Sequence, residues 1–159
     1  MSLFLISCDG DKTKVSKDVA YMSALIKTIL ADDSYDESLE IPLPNVNKET
    51  LNRVIEFCLH HVNNPMAEVK KPLTSSDMID IVSKWDAEYV NVELSILYST
   101  MSAASYLDIP SLLDLCCIKI ASMIRGKSPA EIKSIFNIVD DFTQKEEILI
   151  REENKWCES

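Results

Sequence analysis

The chain has 159 residues, 26 acidic and 16 basic, and a formal net charge of −10. That length suits one compact domain with room for a terminal extension, and an apolar content of 47% supplies a sizeable core. The negative charge argues against sequence-independent nucleic-acid binding, because phosphates are held by Lys and Arg, and the presence of only two glycines argues against a glycine-lined cofactor loop.

Leu3-Phe-Leu-Ile-Ser7 is rich in strand-forming residues. Asp9-Gly10 is a two-residue hairpin signal, and Lys12-Thr-Lys-Val15 reads as the returning strand. A helix is predicted next, with Val19, Met22, Leu25, Ile26, Ile29 and Leu30 in one stripe. Asp32, Asp33, Asp36, Glu37 and Glu40 have no base among them and read as a solvated loop. Glu40-Ile-Pro-Leu43 reads as a short strand that Pro42 confines to a sheet edge. Asn47 caps a predicted helix carrying Leu51, Val54, Ile55, Cys58 and Val62, which Asn63-Asn64-Pro65 ends. Residues 63–84 hold prolines, serines and Lys70-Lys71, with a weak helical patch at 78–82, and read as a long, mobile surface loop. A helix over about 94–107 places Leu94, Leu97, Tyr98, Met101 and Ala104 on one side before Ile109-Pro110 breaks it.

The following helix, 111–125, is closed by Gly126 and carries two apolar stripes. Leu112, Leu115, Cys116 and Met123 form one; Leu113, Cys117, Ile120 and Ile124 form the other. Only Asp114, Lys119, Ser122 and Arg125 remain for water, so the second stripe needs a cover, either the C-terminal helices or a partner. Two capping boxes follow. Ser128 precedes Glu131 by three residues, with Pro129 at the first helical position, and Thr143 precedes Glu146 by three. They mark helices over 129–136 and 144–157, each too short to be stable alone. Both are predicted to lie against something that is partly another protein.

Several features together, in order, resemble one family: Ile41-Pro-Leu-Pro-Asn-Val-Asn47, His60-His61, Trp85-Asp86, Tyr106-Leu-Asp-Ile109, Leu112-Leu-Asp114, and the tail ending Glu153-Asn-Lys-Trp-Cys157. The chain resembles the Skp (S-phase-kinase-associated) adaptors of SCF ubiquitin ligases over nearly its whole length, most specifically in that tail. Elongin-C adaptors share the first domain but stop before the last two helices; an elongin-C-like adaptor and a BTB-type homodimerising scaffold are the alternative readings.

The resemblance implies an α+β fold, with a cullin-binding BTB/POZ domain over 1–107 and a helical F-box-binding extension over 108–159. It implies a non-catalytic adaptor joining a cullin to interchangeable F-box substrate receptors, so that substrates are ubiquitinated and degraded. By the same resemblance, the F-box surface includes Leu113, Cys117, Ile120, Ile124, Phe136, Ile138, Asn154 and Trp156. Four of these are the second stripe read from periodicity. On the cullin side, Tyr106 matches the family's aromatic contact, but the usual preceding Asn is Ser105 here. Loss of that amide removes an interfacial hydrogen bond worth about 1 kcal/mol, leaving open a weaker contact or a compensating partner surface. The 63–84 segment also departs, with lysines and an apolar patch where the family is usually more acidic. Without an F-box protein, self-association into a homodimer is expected.

Candidate chemistry is sparse. A zinc-binding RING module needs eight Cys and His ligands in paired spacings, whereas five cysteines and two histidines are scattered here. Cys58, His60 and His61 lie close in sequence, yet two ligands on one helix face do not close a tetrahedral site; Cys58 reads as core and the histidines as a helix terminus. Cys116 and Cys117 read as buried, inert thiols. Asp140-Asp141 and Glu146-Glu147 flank helix starts, where dipole and capping explain them. Trp156 reads either as a packing residue or as an interface anchor, and the resemblance favours the anchor. No enzyme activity, metal or cofactor is expected. Cysteines without a CxxC pair, no signal-like leader and no stretch of bilayer-spanning length predict a soluble intracellular protein with no membrane partner, and the resemblance implies cytoplasm and nucleus.

Overall fold

Alternation along the first strand builds the sheet. In β1 (Ser2–Ser7), Leu3 and Leu5 are buried while Phe4 and Ile6 between them are half-buried. β2 (Lys12–Ser16) returns antiparallel, with Leu3 opposite Val15. The closing turn is wider than the predicted two-residue hairpin: Ser7 N–H donates to Asp11 O at 3.0 Å and Gly10 N–H to Ser7 O at 2.9 Å. Gly10 sits at φ +85°, where a side chain would strain the backbone. β3 (Glu40–Leu43) runs parallel to β1 on its other side, so the order is β2-β1-β3 and Pro42 is on an edge strand, as expected. The computed structural model, mixed α+β, describes residues 2–32, 39–139 and 142–157. Asp33, Asp36 and Glu37 of the acidic run, and Asp140-Asp141, lie outside the described residues.

The single helix expected after β2 is broken in two, α1 (Lys17–Ala20) and α2 (Ala24–Asp32). Ser23 causes the break. Its buried hydroxyl accepts from Ile26 N–H at 3.2 Å, starting α2, and donates to the Leu107 carbonyl. Periodicity alone runs through such a restart, because the apolar stripe stays in phase. α3 (Lys48–His61) is capped as predicted, with Asn47 Oδ1 accepting from Thr50 N–H at 2.8 Å. It buries Leu51, Val54 and Cys58, and also Phe57, which lies outside the predicted stripe.

The 62–77 segment touches the core at several points. His61, buried, bridges the Asn64 carbonyl (Nδ1, 2.8 Å) and the Asp86 carboxylate (Nε2, 2.7 Å), and Ser83 Oγ donates to the same carboxylate at 2.7 Å. Met66, Val69 and Leu73 pack half-buried against the core. The segment leads into α4 (Met78–Ile81) and α5 (Lys84–Tyr89), capped by Asp77 and Ser83. α6 (Leu94–Leu107) ends at Asp108, φ +53°, and α7 (Pro110–Ile124) begins at the proline that broke it.

A first compact unit spans Met1–Arg125 and a second Gly126–Ser159. The compact units divide at 125/126, and α6 and α7 pack together within the first. The second unit holds α8 (Pro129–Phe136), α9 (Gln144–Glu153) and a 3-10 turn (Lys155–Cys157). The helix expected over 144–157 thus tightens after Glu153. Among the described residues no helix is long and apolar enough to cross a membrane.

Candidate functional site

The two stripes of α7 face different surroundings. Leu112, Leu115 and Cys116 are fully buried, and Ile118 joins them. Across the helix, Leu113 and Ile120 are half-buried, Cys117 is exposed, and Ile124 is 38% exposed. This row is thus open within the first unit. Three expectations are corrected here. Ser122 does not face water; it is buried, its hydroxyl satisfied by donating to the Lys119 carbonyl at 2.6 Å on its own helix. Cys117 is not a buried thiol: about 100° round the helix from Cys116, it is exposed. Met123, expected in the core stripe, is half-buried.

Both capping boxes of the second unit form. Ser128 N–H donates to Glu131 Oε2 at 2.7 Å while Ser128 Oγ accepts from Glu131 N–H at 3.3 Å. Thr143 and Glu146 repeat the exchange at 3.1 and 3.3 Å. The backbone N–H of Ser128 holds the Glu131 carboxyl below the usual range, with help from the Ser128 hydroxyl. Yet neither α8 nor α9 buries a residue. Trp156 is 82% exposed, Val139 81%, and Ile138 53%. Phe136 is half-buried, and Asn154 is exposed with its amide donating to the Ile150 carbonyl at 2.8 Å. Ile148, Leu149 and Ile150 are all exposed; at about 100° of rotation per residue they cover more than one side of α9. Sequence reasoning passed over this trio and over Val139 and Phe142. The signal was present, since three consecutive apolar residues cannot share one buried face.

On the last turn of α6, Ser105 is exposed and Tyr106 is half-buried against the core. The Cys58-His60-His61 group does not converge. His60 stacks on Trp85 at 3.8 Å with an interplanar angle of 2°, whereas His61 is committed to Asp86 and Asn64. The expectation of two helix-terminating histidines therefore misses a buried polar link. Among the described residues no group of three or more His, Cys, Asp or Glu is placed to hold a metal. Burial pushes the Cys58 and Cys116 thiols up to about 12, which makes them poor nucleophiles at neutral pH.

The Skp1-family tetramerisation domain matches residues 1–63, and the Skp1-family dimerisation domain matches residues 110–157. An S-phase kinase-associated protein 1 homolog of Tetrahymena thermophila is 44% identical over 155 residues, covering 97% of this chain and 92% of that protein. The chain belongs to the Skp1 family. Further Skp1-type relatives are E3 ubiquitin ligase complex SCF subunits sconC. That of Aspergillus terreus is 43% identical over 99% of this chain and 96% of its own length, and that of Arthroderma benhamiae 42% identical over 97% and 93%. Skp1-family membership makes the sheet and the helices around it a BTB/POZ-type fold. The open row of α7, and the second unit from Pro129 to Cys157, both lie within the matched dimerisation domain.

Proposed function

We propose that this chain is a non-catalytic adaptor of an SCF E3 ubiquitin ligase, binding a cullin through the first unit and an F-box substrate receptor through α7 and the C-terminal helices. The observation that carries the reading is a pair of properly capped helices with no residue fully buried, beside an exposed set of large apolar side chains at Ile138, Val139, Phe142, Ile148, Leu149, Ile150 and Trp156. Such a surface calls for a protein cover. The half-open row Leu113, Cys117, Ile120 and Ile124 on α7 supports the same reading. Phe136, Ile138, Asn154 and Trp156 would complete the F-box contact, and Ser105 with Tyr106 would face the cullin.

The mechanism is tethering: a substrate held near a ubiquitin-charged enzyme reacts by proximity, with no bond chemistry on this chain. Burying five or six of these apolar side chains supplies on the order of 10 kcal/mol, of which association and ordering consume several. The adaptor would work in cytoplasm and nucleus. Replacing Ile120 and Ile124 together by Asp is expected to abolish capture of an F-box protein while circular dichroism shows the fold retained. Undiminished capture refutes the proposal.

The homodimerising scaffold is favoured by the same outward apolar residues of 138–156. Light scattering with and without an F-box domain separates the two, because a scaffold stays dimeric in both.

A further inference from the structure

The segment between α3 and α4 runs across α7 rather than away from it. Arg125, at the end of α7, donates from its guanidinium to the Leu73 carbonyl at 2.5 Å and the Thr74 carbonyl at 3.3 Å. Lys71 lies 3.6 Å from Asp114 on the same helix. Between these two ties the segment and α7 enclose an open cleft of about 340 Å³, lined by Pro72, Leu73, Cys117, Ile118, Ala121 and Arg125. Its floor is apolar. Pro72, Leu73, Ile118 and Ala121 supply that floor, while Lys71, Asp114 and Arg125 stand at the rim, so the floor fits an uncharged aliphatic group.

We infer that this cleft is an additional subsite of the receptor-docking surface, and that it takes one aliphatic side chain, of Leu, Ile or Met size, from the F-box receptor. The inference rests on the adaptor reading. Continuity argues for that occupant: Cys117 lines the cleft and also belongs to the open row of α7, one turn from Leu113 and close to Ile120. A helix seated on the row would therefore present its next side chain to the cleft. The tied segment is the wall that gives the subsite its depth. Leu73 then decides which receptors gain the extra contact, because it comes from outside the row and is set by the segment rather than by α7.

The test uses the full chain and a purified F-box domain, with binding measured by calorimetry for Leu73→Ala, Leu73→Asp and the Ile120→Asp/Ile124→Asp pair. Leu73→Asp is expected to weaken binding about ten-fold, the loss of one well-buried aliphatic contact, and Leu73→Ala by about three-fold. Hydrogen exchange of the unmutated chain is expected to show amides of 73–75 slowed on adding the F-box domain, a readout independent of whether the variants fold. Unchanged affinity for both Leu73 variants, or unchanged exchange at 73–75, while the Ile120/Ile124 pair abolishes binding, overturns the subsite and leaves the adaptor reading intact. Full binding by the Ile120/Ile124 pair removes the adaptor reading, and the subsite with it.

Discussion

Cys116 and Cys117 are neighbours with opposite fates, and the difference is one of direction. Cys116 is wholly buried beneath α7, and burial pushes its thiol up to about 12; Cys58 on α3 behaves alike. Cys117, one residue on, reaches the open side. The two raised thiols carry a sign. Between their ordinary value near 9 and about 12 the folded chain holds protons that the unfolded chain releases, so their contribution to stability is complete below 9 and is lost as pH rises through that window. Burial also raises the Tyr89 phenol, and the Arg53 guanidinium opposes it only in part, which adds to the same slope. The melting temperature is expected to fall steeply across that alkaline range, and the fall to flatten in a Cys58→Ala/Cys116→Ala variant whatever its starting stability. An equal slope in both would show that these thiols do not govern it.

At the scale of the element, the C-terminal helices depend on their ends. A helix of eight or ten residues with no residue fully buried depends heavily on its caps. Ser128→Ala and Thr143→Ala are each expected to cost their helix about 1 kcal/mol. Amides of α8 and α9 would then exchange faster, while those of α3 keep their rates. Unaltered exchange in α8 and α9 would mean that something other than the boxes holds them. The Glu131 carboxyl, depressed by the Ser128 N–H, favours its helix above the ordinary carboxylate range, and that help is lost as pH falls through its folded value. The 62–77 segment shows the opposite case. Its composition reads as mobile loop, yet His61 bonds the Asn64 carbonyl, Lys71 lies beside Asp114, and Arg125 donates to the Leu73 and Thr74 carbonyls.

For the whole molecule, the contrast between units matters most. The first encloses a continuous core from Leu3 to Ile118, while the helices of the second bury nothing. A chain with Trp156 and Val139 more than four-fifths exposed is expected to associate with its own copies when no receptor is present. Light scattering over rising concentration is expected to show the mean mass climbing from one chain toward two. Trp156→Ser with Leu149→Ser would hold the mass at one chain, and addition of an F-box domain would replace the dimer by a one-to-one complex. A single-chain mass at every concentration would contradict this.

Local rules were enough for much of this. The Ser128 and Thr143 boxes, the Asn47 cap, the edge position of Pro42 and the double stripe of α7 are all readable from spacing, because each depends on neighbours within a turn or two of chain. The restart at Ser23, the burial of Ser122, the union of His61 with Asp86 and the anchoring of Leu73 by Arg125 are not. Each joins groups that only packing brings together, or turns on which side of a helix the core happens to occupy. Sequence alone thus determined most of the elements, though not α5 or the break between α1 and α2, together with the family resemblance and the existence of a spare apolar face. Tertiary structure decided which polar groups are buried, which thiols are inert, and that a segment reading as loose loop lies tied across α7. The reason is physical: helix and cap signals are short-range and additive, whereas burial and long-range hydrogen bonds depend on how the whole chain closes on itself.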